Sequence, residues 1–339
     1  MTPRNRLSAA FSKEPVDRVP IIIPGGMMAG VLYEILSETS LPYPEIHTIV
    51  EHMVAYTNTL QQKCGLDNTG VPFCMTVEAE DFGAKIDLGS ALYEPSVSSP
   101  PCSTLEDLIN STPQPSSRHQ TVLKAIQKLS GGDIPVVGNV IGPMSLLTSL
   151  VPQGVVFRAM EKDKENLQKS LQKVGQHIAE FAEEQIEAGA DVIVVADPSA
   201  TGDIIGPLYF SEFMVPAYDA IINRLKKFDR PIVLHICGRI QSLIPGLKKL
   251  DWDGLSVDSL VGMNKLKEPF AGRVLMGNVS TQIMAMSGEE KTYRTSRRIV
   301  ETVAILAPAC GLSTKTPINN IKSMKLAAED AANGLKRSF

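Results

Sequence analysis

The feature that most constrains this chain is a rhythm. Eight short apolar runs recur with helical stretches between them: 18–24 (RVPIIIP), 70–77 (GVPFCMTV), 134–140 (IPVVGNV), 191–197 (DVIVVAD), 231–237 (PIVLHIC), 254–258 (GLSVD), 273–279 (RVLMGNV) and 305–310 (ILAPAC). Most are continuously apolar and β-branched, the pattern of strands covered on both faces of a parallel sheet. Residues 166–188 carry Leu167, Leu171, Val174 and Ile178 at helical spacings, stop at Gly189 and run straight into the fourth strand. Residues 213–227 and 291–307 lead into the fifth and eighth strands in the same way. This alternation predicts a single α/β domain, a (β/α)8 TIM barrel spanning 1–339, with an open doubly wound sheet as the alternative. No GxGxxG follows any strand, which weighs against a dinucleotide-binding sheet. Residues 1–18 read as an N-terminal helical extension. Residues 83–117 read as a hairpin and loop insertion after the second strand.

Composition narrows the partners. With 43% hydrophobic and 21% charged residues over 339 positions, the chain can bury a large core. A net charge of −4 supplies no basic field, so neither nucleic acid nor an anionic membrane is expected. The longest uncharged stretch, 134–157, is interrupted by Gly138, Asn139, Gly142, Pro143, Pro152 and Gly154, and reads as strand and loop, not as a membrane span. The N-terminus lacks the apolar run of a signal peptide, and five scattered cysteines do not form a disulfide framework; both predict a cytoplasmic protein.

In such barrels the chemistry sits at the C-terminal ends of the strands. The fifth run ends in His235-Ile236-Cys237-Gly238 and the eighth in Cys310-Gly311. His235 and Cys237 alternate onto one face of a strand, and Cys310 converges on the same lumen if the barrel closes. One imidazole and two thiolates suit Zn²⁺ with a coordination position left open; packing of an HxC on a buried strand is the competing reading. Asp258 is a candidate fourth ligand, or a hydrogen-bonded loop aspartate. Asp197 and Asn278 either orient a polar substrate or satisfy turns. Glu78 and Glu80 are pocket acids or solvated loop residues, and Arg239 meets an anionic group or lies on the surface. Cys64, Cys74 and Cys102 read as small buried hydrophobes. His47, His52, His119 and His177 have no paired ligands nearby in sequence and are given no role. There is no GxSxG elbow, P-loop or HExxH.

Across nearly its whole length the chain resembles the uroporphyrinogen decarboxylase superfamily, and within it the zinc-dependent methylcobamide:coenzyme M methyltransferases. The resemblance is carried by RLSAAFSKEPVDRVP, PGGMM, VPFCMTVEAEDFGAKIDLG, VVGNVIGP, EAGADVIVVADPSATGDIIGP, LHICG, GLSVDS, LMGNVST and LAPACGLSTKTP. It implies that His235, Cys237 and Cys310 hold zinc and that Asp258 stands where a family acid occupies the metal when substrate is absent. Asp197 and Asn278 would line the pocket. It also implies methyl transfer from a methylated corrinoid protein to a zinc-activated small thiol, coenzyme M first, with homocysteine or tetrahydrofolate as other acceptors. A non-catalytic corrinoid- or tetrapyrrole-binding homologue is a further alternative. Decarboxylation itself fits poorly, because PGGMMAG stands where the decarboxylases carry an arginine that grips carboxylates.

Overall fold

The structure is a computed structural model that describes residues 1–23, 30–335 and 337. The PGGMM motif and its missing arginine fall in 24–29, outside the described residues. Among the described residues nine strands run in chain order: β1 (Thr69–Val71), β2 (Lys85–Asp87), β3 (Ser96–Ser99), β4 (Val136–Ile141), β5 (Val192–Ala196), β6 (Ile232–Ile236), β7 (Gly254–Val257), β8 (Val274–Val279) and β9 (Ile305–Pro308). Seven of them pair in parallel in the order β1-β4-β5-β6-β7-β8-β9, with helices in the connections. β2 and β3 form a separate antiparallel hairpin in the 83–117 stretch.

The eighth place in the ring belongs to residues 20–23. Ile21 bridges Leu306 of β9 in parallel, and the Asp67 amide, just before β1, donates to the Ile21 carbonyl at 2.8 Å. The barrel is thus closed, but its expected first strand is reduced to a bridge. Pro20 has no N–H to give. The Ile21 and Ile23 amides donate to the Asp67 and Asn68 side chains at 2.8 and 3.2 Å, so the ladder toward β1 stops there, while Pro20 and Ile22 keep two backbone bonds to Leu306 of β9. The expected second strand is likewise shortened. It ends at Val71, before Pro72, and its last residue, Val77, opens the helix Val77–Asp81.

Side chains alternate across each strand. Val137, Val192, Val194, Val233, Val274, Met276, Ile305 and Ala307 fill the barrel interior together with Ile22. Their neighbours in sequence, such as Ile193, Val195, Leu234 and Ile236, face the helices. Leu7 and Ala10 of the N-terminal helix Pro3–Ser12 join the interior cluster and close the barrel floor. That helix starts because the Thr2 hydroxyl accepts from the Asn5 amide and Pro3 occupies its first turn. It is locked in place by Arg6, which donates to Asp17 and Asp67, while Asp67 also accepts from Arg18. With the floor plugged, access to the interior is from the C-terminal end. No helix among the described residues is long and apolar enough to cross a membrane.

Candidate metal centre

Three donor atoms converge at that open end. His235 lies on β6 two residues beyond Val233, so its ring faces the interior above the hydrophobic cluster, and Cys237 follows on the same side. Cys310 arrives from the end of β9. His235 Nε2 is 3.2 Å from Cys237 Sγ, and the two sulfurs are 3.1 Å apart. All three donor atoms lie within 4.8 Å of one another. His235 is buried, whereas both cysteines are partly exposed, so the group faces a solvent-accessible mouth.

The electrostatics suit a cation. The hydrogen-bonded contact with Cys237, together with His235, overcomes burial and pulls the Cys310 thiol far down. The same contact, with burial and the nearby Asp258, pushes Cys237 up. The pair therefore sheds one proton readily and holds the second until a cation compensates it. His235 Nδ1 is 3.0 Å from the Ser256 hydroxyl, which leaves Nε2 aimed at the sulfurs. One imidazole and two thiolates, mutually close and with an open side, are a donor set that fits zinc.

The remaining residues singled out in the sequence take up distinct places. Asp258 directly follows β7 and organises the loop, accepting from the Gly238 amide at 3.2 Å and the Leu260 amide at 2.9 Å. Gly238 is in the left-handed region at φ 67°, which lets the chain turn sharply after Cys237. Asn278 donates to the Asp258 and Val261 carbonyls, both at 2.8 Å, and so braces the same loop. Asp197 is fully buried and accepts from the Met144 and Ser145 amides and the Ser145 and Tyr218 hydroxyls at 2.6–3.0 Å. It anchors the helix Pro143–Leu150 by its N-terminus. Gly142 is required there, since a Cβ would stand 2.2 Å from that of Asp197. Arg239 is exposed beside Asp203. Glu80 pairs with Arg118 at 3.1 Å. Glu78 lies in a buried helix, not a solvated loop, and accepts from the Ile141 amide at 2.8 Å.

Two readings need correction. Cys74 is more than a small hydrophobe: the buried Arg118 guanidinium lies 2.7 Å from its sulfur. His119 and His177 do have partners, since both rings meet Asp81 in a buried cluster. Packing of three helices joins residues far apart in sequence. Sequence reasoning also missed Ser256, although a serine two residues before Asp258 in an otherwise apolar run was the available signal. It missed Glu94 as well, on the hairpin between β2 and β3. Glu94 reaches solvent, but partial crowding of its carboxyl, reinforced by the neighbouring Cys74 and Cys310, raises it to about 7. The hairpin is tied to the loop beyond Cys310 by the Thr314 hydroxyl, which donates to the Leu92 carbonyl at 3.1 Å.

The fold and site together define a TIM-barrel protein with a His-Cys-Cys cluster at its mouth whose donors could hold a metal ion. Residues 2–330 match the uroporphyrinogen decarboxylase (URO-D) family, and the chain belongs to it. Among its relatives is the methylcobamide:CoM methyltransferase MtaA of Methanosarcina barkeri, 28% identical over 344 residues, covering 97% of this chain and 98% of the relative. The methylcobamide:CoM methyltransferase MtbA of Methanosarcina mazei is 29% identical over 336 residues with the same coverage. A solved methyltransferase from Methanosarcina mazei superposes with a TM-score of 0.88 at 29% identity, covering 97% of this chain and 99% of its own.

Proposed function

We propose that this chain is a methyltransferase that moves a methyl group from a methylated corrinoid, carried by a partner protein, to a small thiol bound at His235, Cys237 and Cys310, with coenzyme M as the acceptor. The convergence of those three donors at the open end of the barrel carries the reading. The methyl-transfer class rests on relatives named for that activity along nearly the whole chain.

His235, Cys237 and Cys310 would hold zinc, which when bound lowers the pKa of a thiol so that a thiolate exists at neutral pH. The protein's own groups do the rest. Ser256 fixes the His235 ring, and Asp258 with Asn278 holds the loop that carries Cys237 beside Cys310. The plugged floor keeps water from entering below. The acceptor's thiolate forms a sulfur–carbon bond to the methyl group as the cobalt–carbon bond breaks. The electron pair of that bond stays on cobalt, taking Co(III) to Co(I), and the thiol proton is released to solvent.

The donor is large, and the mouth suits a protein-borne group. Tyr93 on the hairpin between β2 and β3, Ile204 and Leu208 after β5, Leu260 after β7 and Met286 after β8 are exposed, so the connections that leave the C-terminal strand ends carry apolar side chains open to a partner. Exposed apolar groups gathered around a mouth mark a docking face.

The test supplies methylcobalamin as the methyl donor and coenzyme M as the acceptor, and follows S-methyl product together with zinc content. Wild type should bind about one zinc at this site and form methylated thiol, while Cys237→Ala and Cys310→Ala should lose both. Product formation that persists unchanged in both variants would overturn the reading.

A further inference from the structure

A second group of side chains of metal-ligating type lies among the helices outside the barrel interior. Asp81 closes the short helix Val77–Asp81, His119 sits in the first turn of the helix Ser117–Leu129, and His177 lies midway along the helix Lys164–Glu187. One carboxylate oxygen of Asp81, Oδ2, faces both imidazoles: His119 Nδ1 at 2.7 Å and His177 Nε2 at 2.9 Å. All three donor atoms lie within 4.8 Å of one another, and all three residues are buried. The other Asp81 oxygen is occupied by the Ser116 amide at 2.7 Å, which fixes the carboxylate so that Oδ2 points at the rings. His119 Nε2 reaches the Glu184 carboxylate at 2.5 Å, the outer-shell arrangement that orients a ligating imidazole from behind.

A separate observation points to a missing cation. Glu78 lies one turn before Asp81 on the same helix and is 1% exposed. Its Oε2 is buried and has no hydrogen-bond partner among the described residues. Its charge is felt by both Asp81 and His177. Burial raises the Glu78 carboxyl, because loss of hydration disfavours its charged form. Glu78 thus adds a second buried acid one turn from Asp81, and a divalent ion held by Asp81, His119 and His177 would offset negative charge there.

We propose that Asp81, His119 and His177 form a second divalent-cation site of the nitrogen–oxygen class, structural in role, that clamps the helices 77–81, 117–129 and 164–187 together, with Glu78 as a nearby buried acid and not a ligand. Ligands about 2.1 Å from a tetrahedral zinc stand about 3.3 Å apart, so the donors need to open by only about half an ångström from their hydrogen-bonded spacing. The ion displaces the protons that otherwise sit between the rings and the carboxylate, and uptake therefore releases protons. A donor set without sulfur, closed to solvent, differs from the mouth site in both chemistry and access. The site stands independently of the methyl-transfer reading, because its residues take no part in that reaction.

Cobalt(II) titration of the metal-free wild-type protein separates the two sites. The mouth site gives intense sulfur-to-cobalt charge-transfer absorption. The second site gives ligand-field bands of its own and adds no charge transfer. Two equivalents per chain are expected, only one of them with sulfur character; saturation at one equivalent would overturn the proposal. Elemental analysis of a Cys237→Ser/Cys310→Ser variant dialysed against zinc chloride and then metal-free buffer gives a second readout. About one zinc per chain should remain, and adding His177→Gln should weaken its retention at least tenfold. No retained zinc, or retention indifferent to His177→Gln, would refute the site whatever the outcome of the methyl-transfer assay.

Discussion

The hydroxyl of Ser256 stands 3.0 Å from Nδ1 of His235, directly across the β6–β7 register that pairs the two residues. The contact engages Nδ1 and leaves Nε2 free for a metal; with a metal on Nε2 the hydroxyl accepts from the Nδ1 proton. Partners of this kind typically contribute 10–100-fold in metal affinity. Ser256→Ala should therefore weaken zinc binding by about that factor with little change in fold, and Ser256→Thr should restore most of it. Competition with a chromophoric chelator measures both.

Removal of the metal should expose a selective nucleophile. With the Cys310 thiol held down by Cys237 and His235, a thiolate exists there at pH 6–7, whereas burial pushes Cys64 up to about 12. Chelator-treated protein should be alkylated by iodoacetamide at Cys310 well before Cys64 and Cys102. Zinc should suppress that labelling, and peptide mass spectrometry resolves the sites.

Glu94 gives the mouth a pH dependence. Its carboxyl is raised to about 7, so it is neutral below that pH and negative above it. An acceptor that bears its own anionic end is repelled only by the ionised form. The KM for coenzyme M should accordingly rise as pH increases through 7, and Glu94→Gln should flatten the rise without a matching change in kcat. A KM profile identical in the variant would remove Glu94 from the acceptor's path.

Asp197 belongs to the frame and not to the pocket. It satisfies two amides at the start of the helix Pro143–Leu150 and two hydroxyls, all buried. Asp197→Ala leaves these donors without a partner and opens a void, at a cost of roughly 3–5 kcal/mol. Urea unfolding should show that loss. Asp197→Asn, which keeps the shape and part of the bonding, should lose less.

The barrel floor offers a parallel test. Leu7 is buried among the interior residues of the barrel although it comes from the N-terminal helix. Leu7→Ala should cost about 2–5 kcal/mol. The zinc content of the folded fraction should be unchanged, because the mouth lies at the opposite end.

Strand–helix alternation, the apolar runs and the His-x-Cys…Cys placement were legible in the sequence because each rests on local chemistry: the side-chain period of a strand, the stop signal of a glycine, the residue types that metals prefer. Seven of the eight strands form regular ladders near the expected positions for that reason. Only the tertiary structure decided what depends on contacts between distant segments. Asp67 and Asn68 take the amides of residues 21 and 23, which reduces the first strand to a bridge. The β6–β7 register sets Ser256 against His235, and neighbouring helices bring His119 and His177 onto Asp81. Asp197 reads like a pocket residue at a strand end, yet the folded chain turns it toward a helix N-terminus. Sequence spacing fixes which face of its own element a residue occupies, but the identity of the group opposite is set by register and packing across the whole barrel.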